Sequence, residues 1–196
     1  MQKSLILALG VGDNMADNTR VSKGNRRNTR KRVSQKDIEI LATLLVAFPQ
    51  VSRAVFDPAK RGLSLVFLCQ GPISKSKRDR LQALYLQSIE VYLGLLDIEG
   101  GFVHCSWESM DDFCSFQVER DVASLTTGEL SLTASLISEH VPVLSAVDDS
   151  PVSEETDFSW SAKFFLQEML DQVKEIQCPR KLVALREGEK VLVFDK

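Results

Sequence analysis

A run of cations near the N-terminus is the feature of this sequence best suited to binding a partner. Eight Lys and Arg side chains lie between Asn18 and Lys36, and no acid separates them. Lys and Arg attract nucleic-acid phosphates regardless of base sequence. The run therefore predicts contact with RNA, DNA or a ribonucleoprotein. Its members are Arg20, Lys23, Arg26, Arg27, Arg30, Lys31, Arg32 and Lys36.

The rest of the chain has the opposite charge. Residues 1–36 carry a net charge of +7 and residues 37–196 a net charge of −10, so the overall −3 hides two opposite parts. Residues 12–34 are polar and cannot offset their ordering entropy by burial. We therefore predict a flexible basic arm over residues 1–33 and a single domain over residues 34–196. The alternatives are a solubility tail or, in a eukaryote, a nuclear-localisation address.

A second basic cluster follows Gly71-Pro72, at the start of the longest predicted helix. Cations at a helix N-terminus oppose the macrodipole, so four of them there favour an anion partner. This cluster would extend the footprint of the arm onto the folded body. The alternative is that the side chains extend into solvent and Asp79 offsets part of their cost. The cluster consists of Lys75, Lys77, Arg78 and Arg80.

Other reactive residues are scattered. Cys105 would face Cys114 if the strands around them paired through a tight turn, which would make a thiol pair or a metal site. No C-x-x-C spacing exists and the chain has only two His, so we predict no metal, no cofactor and reduced, buried thiols. Residues 119–121 (Glu-Arg-Asp) suit either an acid/base pair or an ion pair at a strand end. A third hypothesis is an enzyme whose pocket is lined by His104, Glu119 or Asp121.

The first half of the domain reads as helix, strand, strand, helix. Apolar spacing predicts a helix from Ser34 to Pro49. Strands over 52–57 and 63–69 follow, joined by a turn in which Gly62 tolerates positive φ. The long helix is expected to be capped by Ser76 and Asp79 and to end at 100–101. Its predicted inward stripe comprises Leu81, Leu84, Tyr85, Ser88, Tyr92, Leu95 and Leu96.

The second half opens with two strands, over 102–107 and 114–119. Thr126 and Glu129 then form a capping box, and Leu125 and Leu130 form a hydrophobic staple, for a helix that ends near His140. Further predictions follow along the chain. They are a strand over 141–147, a helix over 160–177 with Phe165, Met169, Val173 and Ile176 inward, and a hairpin of 182–185 with 191–194 that turns at 187–188.

The element order predicts an α+β fold with a mainly antiparallel or mixed sheet and helices packed on it. Segments 63–119 and 141–194 each read as strand, helix, strand, strand, so a duplicated βαββ unit is an open alternative. Near the N-terminus, residues 5–9 read either as a short strand or as sequence upstream of a start at Met15.

A non-enzymatic binding protein that uses the basic arm is the leading function. A protein-interaction or effector-binding module, with a cleft between the repeats, is the alternative. No apolar run is long enough to span a membrane, and the thiols indicate the cytoplasm, or the nucleus in a eukaryote.

Overall fold

A computed structural model describes residues 5–7, 35–99, 101–110, 112–144, 164–168, 170–171, 180–188 and 190–195. The predicted arm lies outside this part of the chain except for residues 5–7. The acidic stretch 148–157 and Cys178 also lie outside it.

The described residues form one antiparallel sheet with helices. The strands are Leu5–Leu7 (β1), Arg53–Asp57 (β2), Gly62–Gln70 (β3), Val103–Ser109 (β4), Phe113–Asp121 (β5), Leu182–Glu187 (β6) and Lys190–Asp195 (β7). They lie in the order β1-β7-β6-β2-β3-β5-β4, and every neighbouring pair is antiparallel. The helices are Gln35–Ala47 (α1), Lys75–Leu95 (α2) and Thr127–His140 (α3), and residues 164–168 and 170–171 are also helical. This confirms the predicted α+β class.

One face of the sheet, which we call the covered face, carries the core. Its strand side chains include Ala54, Phe67 and Phe116, all fully buried. The rings of Tyr85 of α2 and Phe116 pack edge to face, with their centroids 5.8 Å apart. Leu44 and Leu45 of α1 are fully buried in the same cluster. The side chains one residue out of phase form the open face, which no described helix covers. Because alternate strand residues point to opposite faces, the pattern of burial along β3 and β5 fixes which face each residue occupies.

The long helix differs from its prediction at both ends and in its orientation. Its N-cap is Ser74, whose Oγ accepts a hydrogen bond from the Lys77 N–H at 3.4 Å, rather than Ser76. It ends at Leu95, before the predicted glycines. Leu81 and Tyr85 are buried as predicted, but the other buried positions are Ile89 and Leu93, whereas Leu95 is 80% exposed. Leucines occur all around this helix, so their spacing alone cannot select a face. The contact with Phe116 selects it.

Smaller corrections concern two turns and one later helix. Arg61 takes the positive φ (48°) in the turn between β2 and β3, while Gly62 is paired in β3, where a Cβ would lie 2.9 Å from the Phe102 ring. The turn at Gly188 (φ 57°) was predicted correctly. Phe165 is exposed, and Leu166 and Leu170 are buried instead. Met169, Val173 and Ile176 lie outside the described side chains.

The described residues do not have the arrangement of a duplicated unit. Instead of a strand over 141–147, the described residues 141–144 make one isolated bridge, from Val143 to Cys69 of β3. In the first segment β3 pairs with β5 of the same segment. Residue 143 instead contacts the first segment, and β6 pairs with β2 and β7. The described parts of the two segments therefore differ both in their first element and in strand pairing.

Candidate functional site

The basic cluster at the start of α2 is the part of the predicted interface that the structure describes. Ser74 caps the helix, so all four cations lie in its first two turns. Lys75, Lys77 and Arg80 are exposed, and no described acid forms an ion pair with them. Arg78 differs, because its Nη1 donates to Ser109 Oγ at 2.6 Å and its carbonyl accepts from the Trp107 indole. Three of the four cations are therefore available to a partner.

A groove runs beside these cations, between α2 and the end of α3. It holds about 850 Å³, and its walls include Lys77, Arg80 and His140, with Leu81 and Leu84 in its apolar part. The chain returns from α3 to the end of β3, where Gln70 N donates to Pro142 O at 2.9 Å. This return places His140 near the start of α2. The groove therefore joins two cations, an imidazole and the hydroxyls of Ser74 and Ser76.

The main basic run is placed by its connections. Leu5–Leu7 forms strand β1 and pairs with Val191–Val193. Of the two interpretations of residues 5–9, the structure therefore has the short strand. The chain from residue 8 to residue 34 thus joins β1 to α1. Seven of its predicted site residues, Arg20, Lys23, Arg26, Arg27, Arg30, Lys31 and Arg32, lie outside the described residues. Lys36 lies in the first turn of α1, and its side chain is outside the described part.

Arg120 is the centre of a buried polar cluster that the sequence only partly indicated. Its Nε and Nη2 donate to the two carboxylate oxygens of Glu129, which is 1% exposed. Nη1 donates to Phe102 O and Asp121 Oδ1, each at 2.7 Å, and Nη2 also donates to Ser124 Oγ at 3.0 Å. All five guanidinium donors therefore have acceptors.

The charges of this cluster support one another. Burial alone would lower the pKa of Arg120, but the Glu129 carboxylate, followed by Asp121, raises it above its usual value. Burial would raise the pKa of Asp121, and hydrogen bonds from Ser124 and the charge of Arg120 lower it overall. Arg120 and Asp121 therefore form an ion pair at a strand end, one of the two roles expected for residues 119–121.

The residues of the enzymatic hypothesis do not share a pocket. His104 is exposed on the open face, and Glu119 lies opposite it in β5. Glu119 Oε2 is 3.9 Å from Lys60 Nζ, while Asp121 is bound to Arg120. The nearest cavity is a groove of about 440 Å³ on the open face that includes Glu119, Lys60 and Arg53 but neither His104 nor Asp121. This groove therefore does not bring the three residues together.

The thiols are buried, but their pairing differs from the prediction. Cys105 lies opposite Val118, and Cys114 lies opposite Cys69 of β3. Burial raises the pKa of Cys105 to about 11, and burial with the neighbouring Cys114 raises that of Cys69 to about 11. These thiols are therefore poor nucleophiles and poor metal ligands. Among the described residues no group of three His, Cys, Asp or Glu is arranged to hold a metal ion.

In the described part of the chain, no helix combines the length and apolar character needed to cross a membrane. No protein-family model, curated protein or solved structure matches this chain.

Proposed function

We propose that this protein binds single- or double-stranded nucleic acid through the basic run 20–36 and the cations at the start of α2. The observation that carries the proposal is the cluster of exposed cations in the first two turns of α2. Lys75, Lys77 and Arg80 have no described acid as an ion-pair partner. A helix N-terminus disfavours cations by about 0.3–1 kcal/mol each, so this placement lowers stability and needs another explanation.

The connection of the basic run supports a shared interface. β1 ends at Leu7, opposite Val191, and Val191 is aligned across the sheet with Arg186. Arg186 N donates to Ser52 O and Ser52 N donates to Val66 O, so the chain leaves β1 at the end of the sheet from which β3 runs on to α2. Four strand spacings separate β1 from β3, about 19 Å.

The connection is long enough to bring both sets of cations to one ligand. From Leu7 to Arg20 there are 13 residues, and a chain of that length extends to at most about 45 Å. The partner is expected to be held by phosphate contacts, because residues 1–47 have no aromatic side chain for base stacking. The groove beside Lys77, with His140 and two serine hydroxyls, would supply any selectivity.

The test is fluorescence anisotropy with a mixed-sequence single-stranded RNA and a DNA duplex over a range of salt concentrations. The full chain is compared with Lys77→Gln/Arg80→Gln and with a five-fold Gln variant of Arg26, Arg27, Arg30, Lys31 and Arg32. Each phosphate contact removed reduces the slope of log K against log salt by about 1. We expect reductions of about 2 and about 5, respectively.

A matched control removes the same charge elsewhere. Lys60→Gln/Lys181→Gln also neutralises two cations, but both lie on the open face beside Glu119 and Asp57. We expect its slope to equal that of the unchanged protein. If the control and the α2 variant reduced the slope of log K against log salt equally, the attraction would be an effect of net charge, and the α2 site would be refuted. Absence of salt-dependent binding by the unchanged protein would refute the proposal and favour a protein-interaction module.

A further inference from the structure

We propose that the outer edge of β4 is a self-association site. Two copies of this chain would pair through antiparallel β4 strands about a twofold axis at Ser106. The two sheets would become continuous, with both α2 helices on the same side. This inference does not depend on nucleic-acid binding, because it is argued from the edge of β4; Lys75 belongs to both proposed surfaces.

The first observation is an unpaired strand edge. Among the described strands, β4 is the last one of the sheet, and no described strand pairs with its outer edge. Met110 N donates to Phe113 O at 2.8 Å, so even-numbered residues direct their backbone groups toward β5. The backbone groups of Val103, Cys105, Trp107 and Ser109 therefore point outward. Among described residues, Gln82 alone reaches this side, with Nε2 at 3.5 Å from Cys105 O.

The second observation is that β4 lacks the usual protection of an edge strand. Exposed edges generally carry Lys, Pro or a bulge, which prevent pairing with another chain. The β4 sequence VHCSWES has no Lys and no Pro, and its seven residues pair with β5 without interruption. Its acid, Glu108, is exposed on the open face, and no Lys, Pro or bulge opposes the addition of another strand.

Charge complementarity commits the edge to a second copy. With the axis at Ser106, His104 lies opposite Glu108 of the second copy, and Glu108 lies opposite the second His104. These side chains are exposed on the open face, and an imidazole N–H can donate to a carboxylate. A shift of the axis by one residue in either direction would place His104 or Glu108 opposite Ser106 and lose both contacts. The strand is therefore self-complementary in one register.

Helix α2 has the same twofold complementarity. Arg78 contacts Ser109 and Gln82 contacts Cys105, so residues 81–82 lie level with Ser106. In the dimer the second α2 would run antiparallel to the first. Glu90 of one copy would then lie close to Lys75 of the other, since the two positions are almost equally far along the helix from residues 81–82. Both are exposed, and both lie on the flank of Gln82 at helical spacing. Lys77 and Arg80 face the groove on the other flank.

Cysteine cross-linking tests the register directly. Ser106→Cys and Glu108→Cys are made singly in a Cys178→Ser background and oxidised with Cu(II)-phenanthroline, which accepts the two electrons released when two thiols join and lose their protons. The two residues 106 would form a pair without backbone hydrogen bonds, with Cα atoms about 4.5 Å apart, within disulfide range. The two residues 108 would be about 13 Å apart. We expect a covalent dimer from Ser106→Cys and none from the matched Glu108→Cys.

Sedimentation velocity provides the second readout. Ser106→Lys places two cations together on the axis and should weaken the dimer at least tenfold. Lys75→Glu should weaken it, and adding Glu90→Lys should restore it, whereas Lys77→Glu on the other flank should leave it unchanged. A wild-type protein that stays monomeric, or equal cross-linking by both cysteine variants, would overturn the proposal.

Discussion

At the scale of single residues, the most consequential contact is between Arg120 and Glu129. Both side chains are almost completely buried. Arg120 donates to both carboxylate oxygens of Glu129, and its remaining donors bind Asp121, Phe102 O and Ser124 Oγ. Tyr85 lies beside them with a buried hydroxyl, and burial, reinforced by the Glu129 charge, raises its pKa. The cluster therefore holds β5, α2 and α3 together around charged groups.

Removal of Arg120 should destabilise the fold strongly. We expect Arg120→Met to lower the free energy of unfolding by about 3–5 kcal/mol, because Glu129 would keep a buried, unpaired charge. Urea denaturation measures this. Arg120→Met/Glu129→Leu should recover most of the loss, since both of the almost completely buried charges are then removed.

The matched control for this prediction is Lys60→Met. It breaks the exposed contact with Glu119 at 3.9 Å and should change the free energy of unfolding by less than about 1 kcal/mol. A loss in the control as large as that in Arg120→Met would contradict the role assigned to burial.

At the scale of elements, the start of α3 has the predicted cap, but the Glu129 side chain does not take the role that a capping box gives it. Thr126 Oγ1 accepts from Glu129 N at 3.1 Å, as a capping box requires, and both staple residues, Leu125 and Leu130, are buried. The Glu129 carboxylate does not return to Thr126, because it binds Arg120. Tyr92 OH lies 2.9 Å from Thr126 Oγ1 and ties the cap to α2.

Loss of the Thr126 hydroxyl should weaken α3 and its contact with α2. We expect Thr126→Ala to lower the free energy of unfolding by about 1 kcal/mol and to speed hydrogen exchange at the first turn of α3. Thr126→Ser keeps the hydroxyl and is the matched control. If Thr126→Ser lost as much stability as Thr126→Ala, the hydroxyl would not be the stabilising group.

At the scale of the whole molecule, β1 forms one edge of the sheet and fixes the start of the connection that carries the basic run. It pairs with β7, from Leu5–Val193 to Leu7–Val191. The opposite edge is β4, for which we propose a second copy. The two edge strands differ in length, since β1 has three residues and β4 has seven.

A chain that starts at Met15 would lack β1 and tests this arrangement. Alternation along β7 directs the N–H groups of Val191 and Val193 toward β1 and that of Leu192 toward β6. We expect the shortened chain to fold, with faster hydrogen exchange at Val191 and Val193. Leu192 is the internal control and should remain protected. Unchanged exchange at all three amides would show that β1 does not pair in solution.

The sequence alone determined the separation of charge, the class of the fold and most of its elements. Apolar spacing located α1, α3 and the strands to within a few residues, and Gly188 marked the final turn, because these features depend on residues close together in the chain. Both sets of predicted binding cations were identified from composition and position. The structure adds that Arg78 is engaged with Ser109, whereas Lys75, Lys77 and Arg80 are exposed.

The tertiary structure decided which residues meet across the sheet. Cys114 is opposite Cys69 rather than Cys105, Glu129 binds Arg120, and α2 turns Ile89 rather than Leu95 inward. Each outcome depends on the register between segments that are distant in sequence, and a shift of one residue would reverse the face of every side chain in a strand. The free edge of β4 is likewise a property of strand order, which no local pattern contains.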